Sequence, residues 1–231
     1  MKKNISNLTG ERRDFLKQVA TGAAALSLSM LAPPLSLSAS ALDNDPGDAD
    51  AWFNKLKGKH RMVFDVTKPH EVLPFAWPRV FLLTNAATGT PQDNVGVVVI
   101  LRHEGIPYTM ENRLWEKYKF GEVFKIDDPA TKAPSVRNMF WQPKAGDFKV
   151  PGIGEVAIGI NELQDSGVMF CVCDMALTVW SAVVAQNMKM DAGEVKKDWV
   201  AGILPGIQIV PSGVWAVGRA QEHGCAYCFA S

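Results

Sequence analysis

A doubly wound α/β domain, three layers with a mostly parallel sheet of about five strands between helices, is the fold the sequence predicts. Two observations carry that expectation. Apolar runs of strand length alternate with segments of helical spacing along most of the chain, which is the pattern of βαβ units. The runs themselves lack polar alternation: "NVGVVVILRH" is an almost continuous β-branched stretch, as a strand covered on both faces reads.

The elements follow in order. "HRMVFDV", from His60, suits a first strand. "LPFAWPRVFLLTNAATG" places Leu73, Ala76, Trp77, Val80, Phe81 and Thr84 at helical spacing, with Pro74 and Pro78 early enough for a first turn. After the strand at Asn94–His103, "MENRLWEKYKFGE" reads as a short amphipathic helix ended by Gly121. Residues from about Asp127 to Gly154 hold Pro129, Pro134, Pro143 and Pro151 and read as a long irregular excursion, more often functional than idle in a domain of this kind. "GEVAIGINELQDSG" reads as a helix, "VMFCVC" as a buried strand, and "DMALTVWSAVVAQNMKM" as a long helix opened by Asp174 as N-cap. "AGEVKKDWVAGILPG" is a further helix ended near Pro205. "IQIV" is a short strand, "PSGVWAVGRAQEHG" a helix capped by Ser212 and stopped by Gly224, and "CAYCFA" a last strand.

Two segments precede this domain. Residues 42–59 are polar, with only Trp52, Phe53 and Leu56 to pack, and read as a tether. Residues 1–41 read as an address label: paired Arg12 and Arg13, then a weakly apolar Ala/Leu/Ser run, then small residues at Ala39-Ser40-Ala41 that suit cleavage. Arg12, Arg13, Phe15, Leu16 and Lys17 resemble a twin-arginine export signal, with Glu11 standing where that pattern has Ser or Thr. The resemblance implies a periplasmic protein. Pro33, Pro34 and the Ser content argue against a stable membrane span. Removing residues 1–41 takes five basic and two acidic side chains from a balance of 24 against 24, leaving 19 against 22. No Lys/Arg cluster remains to neutralise phosphates, so nucleic acid is not an expected partner.

The four cysteines carry the chemistry. In an open α/β sheet the ligand crevice lies beyond the carboxyl ends of the strands, and Cys173 ends its strand directly before a helix. The positive end of that helix favours a thiolate, whereas adjacent Asp174 opposes it. Cys171 and Cys173 share a strand face with α-carbons about 6.6 Å apart, near the limit for a disulfide, so Cys171 reads as a small buried residue. Cys225 and Cys228 form a CxxC, but on a strand they point to opposite faces. That geometry argues against a redox pair or half a zinc site, and neither metal nor cofactor is assigned. Arg102 and His103 end the second strand and would face the crevice of Cys173, where a basic group could hold an anion. Asn138, Trp115 and Tyr118 are further crevice candidates, although aromatics at helical spacing are more often core. His223 reads as complementing a helix end.

"VVVILRHEGIPYTMENRLWEKYKFGE", "GVMFCVCDMAL" and "PGIQIVPSGVWAVGRAQEHGCAY" resemble the exported branch of the DsrE/DsrF-like (YchN-like) superfamily, from about His60 to the end of the chain. The resemblance implies an α/β/α domain, frequent homo-oligomers and, in its sulfur-relay members, a cysteine after a central strand that carries persulfide sulfur. Cys173 matches that position. The expectation is therefore a sulfur carrier or transferase with a sulfur-donor or acceptor protein as partner; nothing in the chain supports hydride or acyl transfer. The other class is a non-catalytic, oligomeric small-ligand-binding module with structural cysteines. An apolar terminal strand also needs cover, which predicts a homo-oligomer with Trp215 or Tyr227–Phe229 near the contact.

Overall fold

The computed structural model describes residues 46–150 and 152–231. The export-signal reading and the first residues of the tether lie outside these. The rest of the tether reading is corrected: α1 (Pro46–Phe53) is a helix, and the chain from Pro46 onward belongs to the same compact unit as the sheet. Trp52, Phe53 and Leu56 are buried. Ala49, Trp52 and Phe53 dock the helix, and Leu56 follows it into the same core.

The five-stranded sheet has the order β6-β5-β2-β1-β7, with β1 His60–Val66, β2 Val95–Leu101, β5 Met169–Cys173, β6 Ile207–Val210 and β7 Ala226–Phe229. All four pairings are parallel. A two-stranded antiparallel pair, β3 (Lys149–Val150) and β4 (Gly154–Glu155), lies in the excursion. Burial explains the unalternated strands: Val97 to Leu101 are at most 1% exposed, because both faces of the sheet are covered.

The two faces carry unequal cover. Phe64, Val66, Val97, Val99, Leu101, Phe170 and Val172 point into the larger core. There they meet α2 (Leu73–Ala87), α3 (Asn112–Lys117), α4 (Phe120–Val123), α5 (Ile160–Asp165), α6 (Asp174–Met188) and α7 (Ala192–Ala201). Val63, Val98, Ile100 and Cys171 point to the opposite core, covered by α1 and α8 (Gly213–Glu222). Helices on both faces of a parallel sheet make the three layers.

Several boundaries differ from the sequence reading, each for a local reason. The helix expected over "MENRLWEKYKFGE" breaks into α3 and α4 at Lys119, which is left-handed with φ 52°, and Gly121 lies inside α4. "GEVAIGINELQDSG" is helical only from Ile160, where the Glu162 carboxylate accepts the Gly159 N–H at 2.7 Å; the glycines and β-branched residues before it disfavour helix. The helix expected to end near Pro205 stops at Ala201. At α6 the N-cap is Cys173 rather than Asp174: its sulfur accepts the Ala176 N–H at 3.3 Å, and Asp174 is the first helical residue. Ser212 caps α8 as expected, accepting the Trp215 N–H at 3.2 Å.

From β1 the chain steps outward through β2 and β5 to β6, then returns to the far side of β1 as β7. The order therefore reverses between β1 and β7, and the carboxyl ends beside that reversal are where such sheets build ligand crevices.

Candidate functional site at the carboxyl end of the sheet

The strand register assembles the site. Leu101 pairs with Val172, so Arg102 and Cys173 stand one step further along adjacent strands, which run about 4.8 Å apart. On the other side of β2, Asp65 lies one residue before the end of β1, opposite Ile100. Tyr227 is in β7, beside β1.

Asp65 is 1% exposed. A carboxylate so buried needs partners to offset its lost hydration, and it has two. Arg102 donates to it as a fork, from Nε at 2.7 Å and Nη2 at 2.9 Å, and the Tyr227 hydroxyl donates at 2.8 Å. The hydrogen bond to Asp65 raises the Arg102 guanidinium above its ordinary value against the opposing effect of burial, with smaller contributions from Tyr227 and Cys173. Burial and then the bond to Asp65 push the Tyr227 phenol up to about 12. Arg102 is thus held toward β1 and β7, on the side of β2 away from the strand that Cys173 ends.

Cys173 is 6% exposed and lies in the core on the α6 side, whereas Cys171 belongs to the opposite core. Cys173 remains extended and paired with Val210 in the ladder, but its sulfur caps the first turn of α6 and packs with the larger core rather than with Cys171. Asp174, the residue expected to oppose a thiolate there, is paired with Lys196 at 2.9 Å. That ion pair offsets the negative charge nearest the sulfur while the free N–H groups of the first turn remain positive toward it.

The other thiols are placed differently. Burial pushes Cys171 far up, with a smaller contribution from Cys173. Burial pushes Cys225 up to about 11, against a lowering contribution from Arg61. Cys225 packs in the core under α1 and α8 and Cys228 against the other, so the CxxC straddles the sheet. Among the described residues no three His, Cys, Asp or Glu side chains come together as a metal site.

The remaining sequence candidates separate. His103 is exposed, with φ 51°, and its ring lies 5.9 Å from Trp180, on α6. Asn138 is a correction. It is 1% exposed and its amide donates both hydrogens to the chain, to the carbonyls of Tyr108 at 2.7 Å and Met110 at 3.1 Å, while Oδ1 accepts the Phe140 N–H. It ties the excursion to the turn after β2 and has no donor left for a ligand. Trp115 and Tyr118 are fully buried core, the indole N–H donating to Pro107 and Met110 and the phenol to Asp198. The ring of His223 stacks on Phe53, 5.8 Å away, at the C-terminal end of α8.

Sequence reasoning missed Asp65 and Tyr227. The signal was present: a lone acid in an otherwise apolar buried strand requires a cation, and Arg102 at the end of the neighbouring strand is in reach.

Compared with known proteins, the chain matches no family model and no curated sequence. A solved structure of a protein of unknown function, MTH1491 from Methanobacterium thermoautotrophicum, aligns with it at 20% identity and a TM-score of 0.34, over 74% of this chain and 99% of that one.

Proposed function

We propose that this is an exported, periplasmic DsrE-like protein that carries sulfur as a persulfide on Cys173. The observation that carries the reading is the seating of the Cys173 sulfur as N-cap of α6, accepting the Ala176 N–H one strand away from a fixed arginine. The thiolate would attack a sulfane sulfur of a polysulfide donor. A bond forms between Sγ and that sulfur, the donor's own S–S bond breaks with its electron pair leaving on the shortened polysulfide, and the thiol proton goes to solvent. An acceptor thiolate then takes the outer sulfur and returns Cys173 as thiolate, with no net oxidant required. Export is supported by the paired arginines Arg12 and Arg13 and by the small residues at Ala39 to Ala41.

The test is the intact mass of the reduced protein after incubation with polysulfide and removal of excess reagent. The expected result is a gain of sulfur that Cys173→Ser abolishes. No gain, or an undiminished gain in Cys173→Ser, contradicts it and leaves the ligand-binding module with structural cysteines as the better reading.

The same proposal includes self-association. β7 is an edge strand among the described residues, and Tyr227 and Phe229 on it are 45% and 51% exposed. Exposed apolar edges invite pairing. Trp215 is engaged within its own chain, against Phe53 and Arg219, so the contact is assigned to β7. Light scattering at micromolar concentration should give a mass above the monomer, reduced by Phe229→Lys; a monomer mass that persists on concentration contradicts it.

A further inference from the structure

We infer that the free edge of the Arg102 guanidinium, together with the exposed rings of Tyr227 and Phe229, forms a binding site for a carboxylate carried on a flat aromatic body. The site lies on the α8 face of the sheet at the reversal of strand order, where sheets of this kind bind ligands. It is independent of the sulfur chemistry of Cys173.

Strand register brings the three side chains together. Phe229 pairs with Asp65 and Tyr227 with Val63 across the ladder of β1 and β7. Val63 faces the core under α1 and α8, whereas Cys228, between the two aromatic residues, packs with the opposite core. Alternation therefore sends Tyr227 and Phe229 to the α8 face, beside Asp65. Arg102 reaches the same place from the end of β2, because one oxygen of Asp65 accepts from both its Nη2 and the Tyr227 hydroxyl. α8 packs over β1 and β2, and beyond it Tyr227 and Phe229 are left 45% and 51% exposed. Pairing along the edge of β7 would leave these rings where they are, since side chains stand out of the plane in which strands pair.

The guanidinium is fixed before a ligand arrives. Its stem lies against the first turn of α8, where a Cβ on Gly213 would stand 2.5 Å from both Cβ and Cδ of Arg102, so only glycine admits this approach. An arginine presents two bidentate edges, one from Nε and Nη2 and one from Nη1 and Nη2. Asp65 takes the first with both its oxygens. The second has no hydrogen-bond partner among the described residues, on a side chain that is 28% exposed. Its two parallel N–H groups match the two oxygens of a carboxylate. Because Asp65 already balances the positive charge, an anion gains directed hydrogen bonds here more than long-range attraction, and apolar contact has to supply the rest. The two exposed rings supply it best to another ring.

The experiment titrates para-fluorobenzoate into the full-length protein at neutral pH and reads binding from the broadening of its fluorine NMR line. The expected result is saturable broadening in the millimolar range that benzoate reverses. Benzamide has the ring without the charge, whereas acetate and inorganic phosphate have the charge without the ring; each should displace the probe roughly tenfold less well than benzoate. Arg102→Gln should abolish the binding. Arg102→Lys keeps a counter-charge for Asp65, and with it the fold, but lacks the second edge, so it should abolish the binding as well. No saturable broadening, or broadening undiminished in Arg102→Lys, overturns the inference. Benzamide competing as well as benzoate overturns the assignment of an anion, and acetate or phosphate competing as well as benzoate overturns the assignment of an aromatic body.

Discussion

At its amino end the sheet borders a cleft of about 860 Å³, lined by Trp52, Lys57, Asp93, Gly96, Gln164 and Gly206 among others. At its carboxyl end the chain gathers a buried carboxylate, a forked arginine, a phenol and a thiol on a helix N-terminus. The first region has room, and its charged side chains, Lys55, Lys57, Asp93 and Asp165, are exposed. At the second the polar groups are held by one another. The difference teaches that concavity and chemistry are separate properties: a reacting group gains from neighbours fixed before the ligand arrives, and only the carboxyl end has them.

If that contrast is right, damage to the carboxyl end should be costly out of proportion to the atoms removed. The largest effect is expected for Asp65→Asn, which leaves Arg102 without its counter-charge beside a buried amide. Unfolding in denaturant should show a loss of about 3 kcal/mol, at the low end for a broken buried pair because Arg102 is partly exposed. A loss within error of zero would mean the network is not held as tightly as described.

Gly213→Ala is expected to come next. The new methyl group meets Arg102 at 2.5 Å, and the helix or the guanidinium must move, at a cost of about 2 kcal/mol. Thermal unfolding measures the cost. A variant as stable as the wild type would show that α8 does not hold Arg102.

The smallest effect serves as a reference away from both ends. Burial pushes the Asp198 carboxyl up, but hydrogen bonds from Lys117, Arg113 and Tyr118 outweigh it and hold it well below the ordinary carboxylate range. A carboxylate depressed in the folded state contributes stability that is complete above its unfolded value near ~3.9 and is lost as pH falls through the folded value. Asp198→Asn should therefore cost about 1 kcal/mol at pH 7, since its two charged partners are about half exposed. The difference from wild type should shrink steadily as the pH is lowered below the ordinary carboxylate range. A difference that grows on acidification would reverse the assignment.

Much of this architecture was legible because buried parallel strands are written plainly. Val95–Leu101 and Met169–Cys173 have no polar residue to compete with the strand reading, and the parallel sheet follows from them. The placement of Cys173 at a strand end was legible for the same reason. The helix at Pro46–Phe53 was not, because its local composition is that of a linker and its docking depends on a sheet face that only the fold creates. Asn138 was mistaken for a ligand group because a buried amide and a solvent-facing one look alike until the carbonyls of Tyr108 and Met110 are in place. Tyr227 was read as edge cover; its bond to Asp65 spans 162 positions in sequence, and no local pattern reports it.

The central claim is that position, rather than exposure, selects the reactive thiol. Cys228 is more exposed than Cys173, and Cys225 sits in a buried site that pushes its thiol up to about 11. Polysulfide treatment of the full-length protein, followed by peptide mapping of added sulfur at all four cysteines, tests this directly. The account predicts sulfur on Cys173 with the other three unmodified. Sulfur on Cys228 or Cys225 with Cys173 bare would contradict it.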